Sequence, residues 1–268
     1  MLLLTAIALA KESEFVEVEL DQPVDAPDST LAAELGGAWS AGNTDSRTVS
    51  AKVDASYRWD ANRVSTVSGG VLGSARVDQN GDGILDEQER EQDRVKTAQR
   101  GTAHLRYDRY LNPRTSLYSL GGGYTDPFAG YDGRLNAQVG TSRLVLGDAS
   151  AETPQETRLV AEIGFDAAHE NYTDGVNPDT DWMYSARGEL ELHQDLTERL
   201  EVGQEAEVFV NVVDPQDARF ISDTSVTNDL TETLSVRFTY TLRYDTDPVE
   251  GYVPADHQGL VTLVAKVL

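Results

Sequence analysis

The stretch DQNGDGILDEQE, from Asp78 to Glu89, carries the side chains of this sequence that are best suited to chemistry. Oxygen-bearing residues recur through it at alternate positions, and Gly83 stands where the chain must turn sharply. Calcium binds oxygen ligands in a flexible cage, and this spacing is that of a twelve-residue EF-hand loop. The sequence therefore predicts a Ca²⁺ site. Its ligands are Asp78, Asn80, Asp82, Ile84 through the backbone carbonyl, Asp86 and Glu89.

The segments around this loop do not have the pattern of the paired EF-hand helices. STVSGGVLGSARV precedes it without helical periodicity, and Arg90 follows where a helix would start with an apolar residue. We therefore expect an EF-like loop inserted in an outer hairpin, with an affinity near 10⁻⁴–10⁻³ M, as in extracellular modules. The alternative is a solvated acidic loop that binds no particular cation.

The composition excludes several classes of function. With 46 acidic and 22 basic residues the chain carries a net charge of −24, so it would repel nucleic acid phosphates. It has no cysteine, which excludes disulfides and thiol chemistry. Four histidines leave few candidates for acid–base catalysis. The acidic excess suits solubility and divalent cations instead.

The amino-terminal residues predict export. Residues 1–10, MLLLTAIALA, form a short apolar run that ends in the small-x-small sequence Ala8-Leu9-Ala10, as the apolar region of a signal peptide does. Residues 11–29 are acidic and read as an exposed leader. A buried first strand is the alternative for the apolar run. No other run approaches the roughly 18 apolar residues of a membrane helix.

From Thr30 onward apolar and polar residues alternate in segments of about ten residues, the length of a tilted membrane-spanning strand. Residues 49–59, 186–193 and 234–244 show this most clearly, each with one apolar and one polar face. Short turns such as RWDANR alternate with longer loops rich in Asp, Gly and Pro. Residues 30–268 therefore predict an all-β fold, a closed antiparallel up-and-down transmembrane β-barrel of about 12 strands in the bacterial outer membrane.

The strands of a soluble β-sandwich would also alternate between apolar and polar residues, so three further features are needed to distinguish a membrane barrel from it. The strands exceed the usual five or six residues, and every second turn is short. Aromatic residues stand near strand ends, as an interfacial girdle requires. The girdle predicted in this way consists of Trp39, Tyr57, Trp59, Tyr107, Tyr110, Tyr118, Tyr124, Trp182, Tyr184 and Tyr244.

The opposite strand faces predict a charged lumen that is narrow or filled by side chains. His104 and His193 fall on these faces, but no nucleophile motif accompanies them, so a hydrogen-bonded lumen is favoured over catalysis and no enzyme activity is expected. The residues predicted to face inward are His104, Arg106, Asp108, Glu162, Asp166, Arg187, Glu189, Glu191, His193, Glu201, Glu205, Glu207, Arg237 and Arg243.

The segment GAWSAGNTDSRTVSAKVDASYRWD, with its GNTDS turn at Gly42 to Ser46, resembles the start of the salt-induced outer-membrane protein family. RYDRYLNPRTSLYSLGGGY and the closing FTYTLRYD resemble its later hairpins. The resemblance runs from about Leu31 to the carboxyl terminus. It implies an outer-membrane β-barrel, and it carries over no residue-level chemistry because the family is a domain of unknown function.

These observations favour an outer-membrane barrel of structural or narrow-pore type with a calcium-binding outer loop. Its expected partners are outer-membrane lipid and calcium. Two other functions stay open at this stage. One is a secreted, soluble calcium-binding β-protein, and the other is a barrel enzyme that acts on lipid or peptide.

Overall fold

The computed structural model describes residues 28–40, 45–76, 88, 91–147, 157–173, 180–248 and 253–266. Its twelve strands each span 12 to 18 residues, and β1 begins just before the predicted start of the barrel at Thr30. The strands are β1 (Asp28–Ser40), β2 (Ser46–Trp59), β3 (Asn62–Ala75), β4 (Val95–Asn112), β5 (Thr115–Asp126), β6 (Tyr131–Leu146), β7 (Thr157–Tyr172), β8 (Thr180–Thr197), β9 (Leu200–Asn211), β10 (Ala218–Asp229), β11 (Leu234–Asp245) and β12 (Ala255–Lys266). A short 3₁₀ helix, Pro127–Ala129, follows β5.

Each strand pairs antiparallel with its neighbours in sequence, and β1 pairs with β12 to close the barrel. The closing pairs run from Ala32 opposite Lys266 to Gly36 opposite Thr262. Closure leaves no free sheet edge, which is the condition for spanning a membrane with strands. The predicted closed antiparallel barrel of 12 strands is confirmed.

The outer surface of the barrel is apolar. Side chains alternate along each strand, so the apolar set lies on one face and the polar set on the other. Leu35, Leu135 and Ile163 are 66–68% exposed on the outside. A soluble protein rarely exposes apolar patches of this extent, whereas lipid tails would cover them.

The lumen contains two small apolar clusters in addition to its charged side chains. Tyr110, Leu144 and Val160 are buried together toward the end where β4 meets β5. Val71 and Leu260 form the second cluster, between β3 and β12. Both clusters reduce the free cross-section of the barrel.

The connections between strands differ in length at the two ends of the barrel. Residues 60–61, 113–114, 198–199 and 230–233 form short turns at one end, and residue ranges such as 76–94 and 246–254 connect strands at the other. The connection over 147–156 departs from this pattern, because it is long and lies at the short-turn end. Longer loops face the cell exterior in bacterial barrels, which defines the outer end.

The predicted calcium loop belongs to the β3–β4 connection, at this outer end. Its ligand positions Asp78, Asn80, Asp82, Ile84, Asp86 and Glu89 lie outside the described residues, as do residues 1–27. Among the residues that the structure describes, no helix is both long and apolar enough to cross a membrane.

The predicted aromatic girdle is correct in part. Tyr57, Tyr107, Trp182, Tyr184 and Tyr244 are exposed on the outer face. Tyr110, Tyr118 and Tyr124 were assigned to the girdle wrongly, because they share the inward face of β4 and β5 with Arg106, Ser116 and Leu120. Their side chains therefore belong to the lumen and not to the lipid interface.

Candidate functional site

The charged residues predicted to face inward do line the lumen, where most of them are buried. The strongest concentration, here called the central network, lies about halfway along the barrel and joins β4, β5, β7, β8 and β9. Its members are Arg106, Asp108, Tyr118, Glu162, Arg187, Glu189 and Glu207.

Two arginines hold the central network together. Arg106 donates to Asp108 at 2.9 Å and to Glu162 at 2.7 Å. Arg187 donates to the other oxygen of Glu162 at 2.8 Å and also pairs with Glu189 and Glu207. Glu162 therefore bridges the two guanidinium groups. Such a network is stable only when each buried charge has a partner, since an uncompensated one costs several kcal/mol.

The Tyr118 side chain extends along the inner surface of the barrel to reach the central network. Cross-strand pairing joins Tyr118 to Gly140, Gly140 to Gly164, and Gly164 to Arg187. These four residues therefore form one row from β5 to β8. The Tyr118 ring lies over the two glycines, where an added Cβ would approach its atoms within 2.7 Å. Arg187 Nη1 donates to the Tyr118 hydroxyl at 2.7 Å. The glycines thus provide the groove in which the ring lies.

A second charged cluster spans the closing seam. Arg237 on β11 donates to Glu34 on β1 at 2.9 Å, across β12. Lys52 on β2 lies 3.8 Å from Glu34 and 3.3 Å from Asp54. Thr262 on β12 donates to Glu34 as well. Glu34 therefore ties together the strands on both sides of the seam.

Above the central network, toward the outer end, the lumen opens into a cavity of about 490 Å³, here called the vestibule. Strand ends that carry arginines and aromatic rings surround it. Arg100, Arg134 and Arg219, which sequence reasoning missed, lie on the inward faces of β4, β6 and β10. Alternation could have found Arg100, since it shares its face with His104 and Arg106.

A charged clamp lies at the outer rim, where the connection between β3 and β4 begins and ends. Asp45, from the GNTDS turn, accepts hydrogen bonds from Arg76 at 2.9 Å and from Arg94. Arg76 follows β3 and Arg94 precedes β4, so the clamp closes the base of the connection that contains the loop. The hydrogen bond from Arg94 lowers the pKa of the Asp45 carboxyl, with further attraction from Arg76 and Arg47.

The two histidines considered for catalysis have other partners. His193 contacts Glu191 at 2.7 Å through Nε2 and Glu201 at 3.2 Å through Nδ1. His104 Nε2 lies 2.8 Å from the Thr102 hydroxyl. In the described part of the chain, no cluster of three or more acidic, histidine or cysteine side chains is arranged to hold a metal ion.

A closed barrel of twelve strands, with an apolar exterior and a charged interior, defines an integral β-barrel protein of the bacterial outer membrane. The chain belongs to the family described as "Protein of unknown function, DUF481", the salt-induced outer-membrane protein family, which matches residues 33–267. The resemblance noted in the sequence is thereby confirmed.

Solved structures with a similar fold are outer-membrane barrels. The NanC porin is 7% identical with a TM-score of 0.50, over 89% of this chain and 100% of that chain. The translocator domain of autotransporter NalP from Neisseria meningitidis is 12% identical with a TM-score of 0.45, over 90% and 88%. The KdgM porin is 6% identical with a TM-score of 0.42, over 90% and 100%. The likeness to the NanC porin shows the fold alone. A search of curated proteins found no match.

Proposed function

We propose that the protein is a narrow, cation-tolerant pore of the outer membrane, with the central network as its constriction. The observation that carries this proposal is the burial of that network across five strands. Side chains of Arg106, Glu162 and Arg187 are 10%, 4% and 0% exposed, so they fill the lumen below the vestibule. A barrel of this strand number encloses a narrow channel or is filled by its side chains.

The charges of the network favour cations. Its two guanidinium groups face four carboxylates, those of Asp108, Glu162, Glu189 and Glu207. Rings of acidic side chains attract cations and repel anions at close range. A purely structural barrel is the second candidate, and the complete pairing of Arg106 and Arg187 favours it.

Conductance across a planar lipid bilayer tests the pore. The wild type is expected to conduct weakly and to select cations. Arg187→Ala removes the donor that joins Glu162, Glu189 and Glu207, so conductance and cation selectivity should both rise several-fold. Arg199→Ala, in the exposed turn after β8, is the matched control and should leave both unchanged.

The outcomes separate the two candidates, provided that each variant shows the mobility of a folded barrel on an unheated gel. A large wild-type conductance that Arg187→Ala does not alter would place the constriction elsewhere. If neither protein conducts, the pore proposal fails and the structural role remains.

We also propose that the outer connection between β3 and β4 binds Ca²⁺ through Asp78, Asn80, Asp82, Ile84, Asp86 and Glu89. The support is the complete ligand spacing in the sequence together with the position of the connection at the outer end. The clamp formed by Asp45, Arg76 and Arg94 holds the two ends of that connection close together. Calcium would order the segment between them.

The remaining functions receive less support. The apolar exterior argues against a secreted soluble protein. An enzyme that acts on lipid or peptide would need a base free to accept a proton, whereas both ring nitrogens of His193 contact carboxylates. That the protein is not an enzyme stays a prediction.

A further inference from the structure

The vestibule has the size of a small-molecule site. Its volume of about 490 Å³ falls within the roughly 300–1,000 Å³ that is usual for ligand pockets. Four arginines line it, on β4, β6, β10 and β11. What distinguishes them is whether each makes an ion pair with a carboxylate that the structure describes.

Three of these arginines are fully engaged. Arg100 donates to Asp126 at 2.7 Å and lies over the Tyr124 ring. The other two follow the same pattern. Arg134 pairs with Glu170 and lies over Phe209, whereas Arg219 pairs with Asp245 and Glu170 and lies over Tyr131. Each has a carboxylate and an aromatic ring, so none of them lacks a partner for its charge.

The fourth arginine, Arg243, differs. It makes no hydrogen bond, ion pair or ring contact with any residue that the structure describes. Asp126 and Asp223 attract Arg243 electrostatically without forming an ion pair with it. Asp126 accepts hydrogen bonds from Arg100 and Tyr124 instead, and Asp223 accepts one from Thr241. Arg243 therefore presents a planar, permanently charged donor to the vestibule, and such a group binds carboxylates through two parallel hydrogen bonds.

Two glutamines add unsatisfied hydrogen-bonding atoms to the same cavity. Gln138 on β6 is 4% exposed and its Oε1 has no partner among the described residues. Gln258 on β12 is 5% exposed, and its Nε2 lacks a described partner although its Oε1 accepts from Arg100 at 3.4 Å. Unpaired buried polar atoms are costly, so water or a bound solute must satisfy them.

The register places these groups on facing walls. Gln258 is paired with Thr241, two residues from Arg243 on the same face of β11, so Gln258 and Arg243 are neighbours. Gln138 lies on β6, halfway around the barrel from β12. A solute that meets all three groups must span the lumen. It needs an acid group at one side and a hydroxyl donor at the other.

We propose that the vestibule is a binding site for a small hydroxylated carboxylate, such as a sugar acid. Its carboxylate accepts from Arg243 and from Gln258 Nε2, and one of its hydroxyl groups donates to Gln138 Oε1. The site lies on the outer side of the central network. Binding therefore does not depend on conduction, and this inference stands apart from the narrow-pore proposal.

Calorimetric titration of the full chain, refolded in detergent, tests the site. The two ligands are glucuronate and glucose, of which only glucuronate carries a carboxylate. The wild type should bind glucuronate at least about tenfold more tightly than glucose, because only glucuronate offers a charged acceptor to Arg243. Arg243→Gln should bring glucuronate down to the level of glucose, and Arg243→Lys should retain part of the difference. Gln138→Leu should weaken both sugars.

Arg47→Gln, which removes an exposed arginine from the start of β2, is the control and should bind as the wild type does. Heat-modified gel mobility establishes that every variant is folded. Equal binding of the two sugars by the wild type, binding of neither, or full glucuronate affinity in folded Arg243→Gln would each overturn the proposal. The comparison of the two sugars needs only the wild type, so it holds even if a variant fails to fold.

Discussion

At the scale of single residues, the calcium proposal depends on carboxylate oxygens that conservative substitutions remove. Ca²⁺ should protect the chain after Arg90 from trypsin in the wild type, with a midpoint near 10⁻⁴–10⁻³ M. Glu89→Gln and Asp82→Asn should each lose that protection, because a neutral amide is a weaker ligand than a carboxylate and cannot replace the bidentate oxygens of position 12. Limited proteolysis of the refolded barrel, with added calcium and with chelator, measures this.

Asp132→Asn is the matched control, since Asp132 is an exposed acidic residue of another outer hairpin and is no part of the motif. It should be protected as the wild type is. Protection that is the same in Glu89→Gln, or that magnesium provides equally well, would contradict a calcium site.

For single residues, the sequence predicted correctly which side chains point into the lumen where the alternation of apolar and polar residues alone decides it. The inward positions of Arg106, Glu162 and Arg187 followed from parity. Tyr118 was assigned to the lipid interface because it stands near a strand end, although the structure places it on the inward face of β5. That Arg243 makes no ion pair with a described residue could not be predicted, because it depends on which groups Asp126 and Asp223 bind across the lumen.

At the scale of the strands, the row from Tyr118 to Arg187 makes two glycines indispensable. Gly140→Ala would place a Cβ 2.7 Å from the Tyr118 ring and 2.4 Å from the Ile163 carbonyl oxygen, and a backbone atom cannot easily move away. We expect a loss of about 1–3 kcal/mol in the free energy of unfolding, as for other overpacked sites. Denaturant titration followed by tryptophan fluorescence measures it.

Gly121→Ala is the control for this strand row, because an added Cβ there meets no atom within 4 Å. It should change the free energy of unfolding little. A Gly140→Ala protein as stable as Gly121→Ala would show that Tyr118 does not lie in the glycine groove.

The strands themselves were largely predictable, whereas their register was not. Period-two alternation and the short turns predicted the number of strands and their faces, and twelve are present. The row of Tyr118, Gly140, Gly164 and Arg187 requires the correct register across four strands at once. That register depends on how the barrel closes, which no local pattern specifies.

At the scale of the whole molecule, the apolar exterior is what makes the barrel a membrane protein. An arginine introduced on that exterior can test whether lipid surrounds it. Ile163 is 67% exposed near the middle of β7, where it would lie deep in the bilayer. Val213 is 79% exposed, but it lies in the connection between β9 and β10, outside the spanning strands. Both side chains are more than 60% exposed, so the two positions differ chiefly in the solvent around them.

Ile163→Arg should therefore lower the free energy of unfolding in phospholipid bilayers by roughly 2–4 kcal/mol, the cost of a cation at the bilayer midplane, whereas Val213→Arg should cost about 0–1 kcal/mol. Denaturant unfolding from liposomes provides both values on one scale. Similar small costs at both positions would mean that water, and not lipid, surrounds Ile163. A large difference would show that the apolar belt is the membrane-facing surface, because both side chains are largely exposed from the rest of the protein.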